Sequence, residues 1–181
     1  MVRLRGVTEV RNNRRNRKKE KVMDTSFERV ADGKIEWLTP PEIIHNLGEF
    51  DLDPCSPKVR PWDTAKLHYH EEEDGYNKEW EGRVWCNPPY GNQTGLWLKK
   101  CAEHGNAISI IFARTETKMF FDYVWDKADA LYFIKGRLKF YHVDGTQGGS
   151  AGAPSVLVAY GKENAFALSH YPIPGKFIPL R

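Results

Sequence analysis

The segment that most restricts the fold of this chain is the apolar run AISIIFA at 107–113. A strand of this kind is covered on both faces, which is typical of a parallel sheet between layers of helices. Further strand patterns lie at 50–54, 83–86, 130–134 and 155–160. Helical patterns lie between some of them, at 39–48, 94–104 and 117–126. The alternation predicts an α/β fold with a mostly parallel sheet and helices on both faces.

Several classes of protein are excluded by composition. No apolar run approaches the roughly 18 residues that cross a bilayer, and the charged N-terminus is not followed by the apolar segment of a secretory signal. Three widely spaced cysteines predict neither a disulfide framework nor a paired-cysteine metal site, and His68 and His70 have no third ligand at a suitable spacing. We therefore expect a cytoplasmic protein with one folded domain over 31–181, no membrane contact and no metal.

The basic charge is concentrated at the N-terminus. Residues 1–21 contain nine lysines and arginines and two glutamates, a net charge of +7; the whole chain carries +3, so residues 22–181 carry −4. The stretch RNNRRNRKKEK has no apolar residue, so it has no surface to bury that would offset the entropy of ordering it. It predicts a flexible basic arm over 1–30 in which Arg14, Arg15 and Arg17 contact DNA phosphates. The alternative is a tail that only keeps the chain soluble.

The segment that points to chemistry is Asn87-Pro88-Pro89-Tyr90, directly after the predicted strand at 83–86. Ligands of open α/β sheets bind beyond the carboxyl ends of strands. The two prolines restrict the backbone and remove two N–H donors, which leaves carbonyl oxygens free to accept hydrogen bonds. Asn87 adds another oxygen, and Tyr90 can stack on a planar base. The motif could therefore receive the amino group of a flat heterocycle; the alternative is a simple turn with a packed tyrosine.

Several other segments occur with this motif in a fixed order: WLTP at 37–40, FDLDPC at 50–55, DG at 74–75, VWCNPPYG at 84–91, ARTET at 113–117, GRLKF at 136–140 and APS at 153–155. Across roughly 37–160 the chain resembles the small phage and prophage DNA N-6-adenine methyltransferase (Dam) family, which belongs to the amino-methylating enzymes with an NPPY-type motif. The resemblance implies a Rossmann-like methyltransferase fold reduced to its catalytic core. It also implies a phage- or prophage-encoded, adenine-specific DNA methyltransferase that acts on double-stranded DNA at a specific site.

The resemblance further implies S-adenosylmethionine as the methyl donor. Asp53 and Pro54 stand where such enzymes begin the loop around the methionine end of the donor. The segment of Thr39 and Pro40 would close over its other side, and Asp74 would lie near its adenine amino group. The loop after Pro54 lacks the glycines usual in the broader superfamily. Simpler roles stay open: Asp53 can cap a turn, Thr39 can cap the helix that follows it, and Asp74 can be a solvated carboxylate.

For the acceptor, the resemblance implies a flipped adenine whose amino group is held by the Asn87 side chain and the Pro88 carbonyl, within the motif that Pro89 and Tyr90 complete. Tyr90 would stack on the base. Other residues could contribute as well: Trp97 and Phe140 as further walls or as core, Arg114 and Arg137 as contacts to DNA or as partners of Glu116 or a neighbouring carboxylate. The glycine-rich run at 144–152 predicts a mobile loop.

Three other functions remain open at this level. The same chemistry could act on cytosine N4 or on a glutamine amide of a protein. The chain could also be a non-enzymatic DNA-binding relic of a methyltransferase. The basic arm and the resemblance favour DNA, and an asparagine at the first motif position favours adenine over cytosine.

Overall fold

A seven-stranded sheet forms the centre of the computed structural model, which describes residues 36–181. The strands are β1 (Leu52–Asp53), β2 (Leu67–His68), β3 (Val84–Cys86), β4 (Ala107–Phe112), β5 (Ala130–Ile134), β6 (Lys139–Tyr141), β7 (Gln147–Ser150), β8 (Ser155–Tyr160) and β9 (Gly175–Pro179). The helices are α1 (Pro41–His45), α2 (Thr94–His104), α3 (Lys118–Phe120, continued by a π-helical turn over Phe121–Trp125) and α4 (Lys162–Ser169), and a 3₁₀ turn covers Glu71–Glu73. Two predictions concern residues outside the described range and stay predictions. They are the DNA contacts of Arg14, Arg15 and Arg17 and the division of the chain near residue 30.

The order of the main sheet is β2-β1-β3-β4-β8-β5-β9. Strands β1 to β4 pair in parallel, whereas β8 runs antiparallel to β4 and β5, and β9 runs antiparallel to β5. Five of the seven strands therefore point the same way, which confirms the predicted α/β class with its mostly parallel sheet. The reversal of β8 is a difference that its apolar sequence does not reveal, because a strand buried on both faces looks the same in either direction.

Helices cover both faces of this sheet and divide the core in two. On one face, Ile43 and Ile44 of α1 and Leu168 of α4 pack with Ile108 and Ile110 of β4. On the other face, side chains of α2 and α3 pack against the remaining core positions of the same strands. All residues of β4 and β8 are buried, so these two strands are the centre of the fold, as the apolar run predicts.

The predicted helices form with small changes at their ends. Helix α2 has the predicted bounds and ends at Gly105, which adopts the left-handed conformation with φ 72° that glycine favours at a helix end. Helix α1 begins one residue later than predicted, because Pro40 and not Thr39 is its N-cap, and Pro40 has no side-chain donor or acceptor to cap with. The alternative role of Thr39 as an N-cap is therefore wrong.

A two-stranded ribbon, β6–β7, connects β5 to β8. It is joined to the main body by two backbone hydrogen bonds between Leu38 and Tyr141, of 2.8 and 2.9 Å. The run at 144–152, predicted as a mobile loop, contains β7. The reason is contact with Trp37: a Cβ at Gly148 would lie 2.5 Å from the indole ring, so the missing side chain lets the ribbon pack on it.

Candidate active site

A cleft of about 1030 Å³ lies where the parallel strands end. Its walls come from the segments that follow β1, β2, β3 and β4, which is the location expected of a ligand site in an open α/β sheet. Eight of the sequence-predicted residues line it: Pro54, Asp74, Asn87, Pro88, Pro89, Tyr90, Trp97 and Arg114. Five others do not line it: Thr39, Pro40, Asp53, Arg137 and Phe140.

The side chain of Asn87 is fixed by its own amide nitrogen. Nδ2 donates to the backbone oxygen of Trp37 at 2.8 Å, and the backbone oxygen of Asn87 accepts a hydrogen bond from Cys55 Sγ at 3.3 Å. The side-chain oxygen Oδ1 is buried and has no hydrogen-bond partner within residues 36–181. A buried acceptor without a partner costs about 1–3 kcal/mol. The cleft therefore offers a fixed acceptor that a ligand amino group could satisfy.

The two prolines of the motif leave carbonyl oxygens as its only backbone hydrogen-bonding groups at those positions. Thr94 at the start of α2 uses one of them, since its hydroxyl donates to the Pro89 oxygen at 2.8 Å. The hydrogen bonds between described residues use the oxygens of Asn87 and Pro89 and leave that of Pro88 without a partner. Two oxygens, Asn87 Oδ1 and the Pro88 carbonyl, are thus available in one motif.

Tyr90 is held as a flat platform by two phenylalanines. Its ring stacks on Phe112, with ring centroids 4.4 Å apart and 25° between the planes. Phe140 packs against it in a T-shaped arrangement, with ring centroids 6.3 Å apart. Burial raises the pKa of the Tyr90 phenol well above its ordinary value, so the hydroxyl is neutral. Phe140 is fully buried and supports Tyr90 instead of lining the cleft. Phe112 was missed from the sequence, although it is the last apolar residue of a buried strand at its carboxyl end.

Asp53 holds the first cleft loop and does not face the cleft. The carboxylate is only 3% exposed; Oδ1 accepts from the Cys55 backbone N–H at 3.2 Å, and Oδ2 accepts from the Thr64 hydroxyl. Burial raises the pKa of Asp53 to about 6. The observed contacts are those of a turn cap, so any effect of Asp53 on a ligand passes through the loop that begins at Pro54.

Asp74 lies on the cleft in an unusual backbone conformation. It is the one non-glycine residue among 36–181 with a positive φ, 53°, and its Oδ2 accepts from Asn77 Nδ2 at 2.7 Å. The next residue, Gly75, packs so closely that a Cβ there would lie 2.1 Å from the Pro54 oxygen. The turn that carries Asp74 is therefore pressed against the loop that follows β1, and the two segments form one wall.

The charged groups of the cleft are mainly acidic. Among residues 36–181, Glu36, Glu71 and Asp74 line it together with one guanidinium, that of Arg114. Neither Glu36 nor Glu71 was singled out from the sequence: Glu71 lies in a run of carboxylates typical of a solvated surface, and Glu36 belongs to no motif. The excess of carboxylates favours a small ligand with positive charge.

The remaining predicted residues lie around the cleft. Arg114 follows β4 and is half-buried in the cleft wall, whereas Arg137 is exposed in the turn between β5 and β6. Thr39 is 2% exposed, and its Oγ1 has no hydrogen-bond partner within the described part of the chain. Pro40 is buried at the start of α1. Trp97 is nearly buried, and its ring stacks on Trp80 with centroids 6.1 Å apart, so it belongs to the core as well as to the cleft.

The described range contains neither a membrane span nor a metal cluster. No helix between residues 36 and 181 has the length and apolar character of a membrane span. In the same range, no group of three or more His, Cys, Asp or Glu side chains could hold a metal ion.

Comparison with known proteins gives one match. Residues 28–167 match the family model described as DNA N-6-adenine-methyltransferase (Dam). No curated protein and no solved structure matched the chain. The matched range contains all four residues of the asparagine-proline-proline-tyrosine motif and every segment that lines the cleft.

Proposed function

Because the chain belongs to the DNA N-6-adenine-methyltransferase (Dam) family, we propose that it transfers the methyl group of S-adenosylmethionine to N6 of an adenine flipped out of double-stranded DNA. One observation carries the proposal at the level of atoms. Asn87 Oδ1 is a buried acceptor without a partner in the described residues, and its direction is fixed by the bond from Nδ2 to Trp37. An exocyclic amino group is a donor that would satisfy this oxygen.

The cleft suits the proposed donor by charge and by shape. S-adenosylmethionine combines a sulfonium and an ammonium group with one carboxylate, and the described residues of the cleft supply three carboxylates against one guanidinium. Pro54 and the turn of Asp74 would hold it, with Asp53 fixing the loop from behind. Thr39 and Pro40 do not line the cleft, so their segment would reach the other side of the donor only by moving. When bound, S-adenosylmethionine supplies an electrophilic methyl group.

The residues of the motif would then act on the acceptor. Adenine N6 is a poor nucleophile because its lone pair is delocalised into the ring. Asn87 Oδ1 and the Pro88 carbonyl would accept the two amino hydrogens, which directs the lone pair out of the ring plane. The same two oxygens stabilise the positive charge that develops on N6, and because they are fixed in advance they need no reorganisation during the reaction. Pro89, anchored by Thr94, keeps the turn in place.

Tyr90 would provide the surface on which the flipped base lies. Phe112 covers one face of its ring, so the ring is supported from behind and keeps its orientation. Flipping costs a few kcal/mol, and a base in an aromatic site regains part of the stacking that it loses in the duplex. The pocket therefore lowers the cost of bringing N6 to Asn87.

DNA contacts would come from a few arginines and from the N-terminal arm. Arg114 at the cleft wall would contact the target nucleotide, and Arg137 in the exposed turn after β5 would contact a phosphate. Arg14, Arg15 and Arg17 belong to the +7 segment, whereas residues 22–181 carry −4. Most of the salt-dependent affinity should therefore come from the arm.

The test is product analysis after methylation of a random-sequence duplex with labelled S-adenosylmethionine, followed by digestion to nucleosides. We expect N6-methyladenine, and sequencing of the methylated sites gives the recognition sequence. N4-methylcytosine as the only product, or label only in protein, would refute the adenine proposal. Asn87→Ala should lose at least a hundredfold in kcat while it keeps its DNA affinity, since one fixed catalytic hydrogen bond is worth about 10²–10³. Asn46→Ala is the matched control, because Asn46 is exposed and, among the described residues, its side chain donates to the Glu42 backbone oxygen within α1 and its cap.

A further inference from the structure

We propose that Cys55 is a positioning residue for methyl transfer: its thiol holds the backbone of Asn87 and so couples the loop after β1 to the motif after β3. The catalytic consequence rests on the proposed function, whereas the coupling itself rests on contacts between described residues. Nothing in the motif pattern indicates this role, because Cys55 and Asn87 are 32 residues apart.

The contacts of Cys55 join two walls of the cleft. Its backbone N–H donates to Asp53 Oδ1 at 3.2 Å, which fixes it in the first loop. Its Sγ–H donates to the backbone oxygen of Asn87 at 3.3 Å. The sulfur of Cys86 lies 3.7 Å from the sulfur of Cys55 and can donate to it. The thiols of Cys86 and Cys55 thus form a chain of donors that ends on the Asn87 carbonyl.

The motif needs an anchor of this kind because of its prolines. Pro88 and Pro89 have no N–H groups, so the backbone there can be held only through carbonyl oxygens. Two side-chain donors from other segments do this: the Thr94 hydroxyl on the Pro89 oxygen and the Cys55 thiol on the Asn87 oxygen. Burial raises the pKa of Cys55 well above its ordinary value, so the thiol keeps the proton that it donates.

Asn87 is therefore held at two points, its carbonyl by Cys55 and its side-chain nitrogen by Trp37. Both bonds keep Oδ1 in one place, because the backbone at Asn87 can turn when its carbonyl is released and then carries the side chain with it. Cys55 also lines the cleft, next to Pro54. A displacement of the loop after β1 therefore displaces Asn87 Oδ1, the oxygen that would accept from the adenine amino group.

The kinetic test compares Cys55→Ala, Cys55→Ser and the control Leu168→Ala. Loss of one net hydrogen bond of about 0.5–1.5 kcal/mol predicts that kcat falls about 2- to 12-fold in Cys55→Ala, with KM for S-adenosylmethionine within twofold of wild type. Cys55→Ser should recover most of the loss, since its hydroxyl can donate. Leu168 of α4 is fully buried in the other half of the core and does not line the cleft, so Leu168→Ala should lower stability and leave kcat unchanged. Equal kcat in Cys55→Ala and wild type would overturn the proposal.

A second measurement does not depend on activity. The side-chain amide resonances of Asn87 can be identified in ¹⁵N-labelled protein as the pair that Asn87→Ala lacks. We expect this pair to shift in Cys55→Ala and to stay in place in Leu168→Ala. An unmoved pair in Cys55→Ala would overturn the coupling. If the pair moves only in Cys55→Ala and the wild type methylates no DNA, the coupling holds and the proposed function fails.

Discussion

Replacing Asp53 with asparagine should remove a pH dependence from the stability of the fold. The carboxylate is 3% exposed and bonds to the Cys55 N–H and the Thr64 hydroxyl. Burial outweighs these two hydrogen bonds and raises the pKa of Asp53 from 3.8 to about 6. The folded protein therefore binds the proton of Asp53 more tightly than the unfolded chain does.

The size of the effect follows from this difference in pKa. Each pKa unit corresponds to 1.36 kcal/mol, so a rise from 3.8 to about 6 is worth roughly 3 kcal/mol in total. This stabilisation is complete below pH 3.8 and is lost as the pH rises through 6. Roughly 2 kcal/mol of it should be gained between pH 7 and pH 4. Asparagine has nearly the same shape and does not titrate, so Asp53→Asn should lack this gain.

The assay is urea denaturation of wild type and Asp53→Asn across this pH range. The quantity to follow is the difference in unfolding free energy between the two proteins, because all other titrating groups, including His68 with its lowered pKa, are common to both. The difference should move in favour of wild type as the pH falls. A difference that is constant from pH 7 to pH 4, or that moves in favour of Asp53→Asn, would refute the assignment of Asp53 as a buried carboxyl with a raised pKa.

Three further predictions concern the cleft and the arm. Gly75→Ala should weaken S-adenosylmethionine binding, measured by calorimetry, at least tenfold, because its Cβ would lie 2.1 Å from the Pro54 oxygen. The control is Gly149→Ala, whose Cβ would have no atom within 4 Å. Equal affinities of the two variants would contradict the close packing of Gly75 on Pro54. Tyr90→Ala should lower kcat/KM on DNA by a factor that corresponds to about 1–3 kcal/mol of stacking, and Tyr90→Phe should keep most of it; equal losses would show that the hydroxyl and not the ring matters. Removal of residues 1–21 should weaken DNA binding and flatten its dependence on salt, and an unchanged slope would place the phosphate contacts elsewhere.

The sequence predicts well those features that depend on local pattern. The buried strand β4, the bounds of α2 and the location of the motif after β3 all follow from apolar runs, a terminal glycine and a proline pair. Arg114 was expected at the carboxyl end of a buried strand, and it lies in the cleft wall. In each case the residue's role is set by its neighbours along the chain.

Contacts between distant segments are what the sequence does not predict. The Cys55–Asn87 hydrogen bond joins the segments that follow β1 and β3. The support of Tyr90 by Phe112 and Phe140 brings together β4 and the ribbon. The resemblance implies that Asp53 lies beside the methyl donor, but its carboxylate turns back to the Cys55 N–H and the Thr64 hydroxyl. Contacts of this kind depend on how distant segments pack together, and the spacing of apolar residues along the chain does not indicate them.

The reversed direction of β8 has a consequence for how this protein can change over time. Strand β5 ends at the cleft edge of the sheet and β8 starts at that same edge, so the segment between them needs no crossover helix. The connection between them is the ribbon β6–β7, which begins and ends at this edge of the sheet. The turn at its tip, over 142–146, can therefore change in length and sequence while the strand order and the motif stay as they are, whereas Phe140 of β6 is fixed because it is fully buried and packs against Tyr90. Changes at this turn alter the surface beside the cleft and leave the strands of the sheet unchanged.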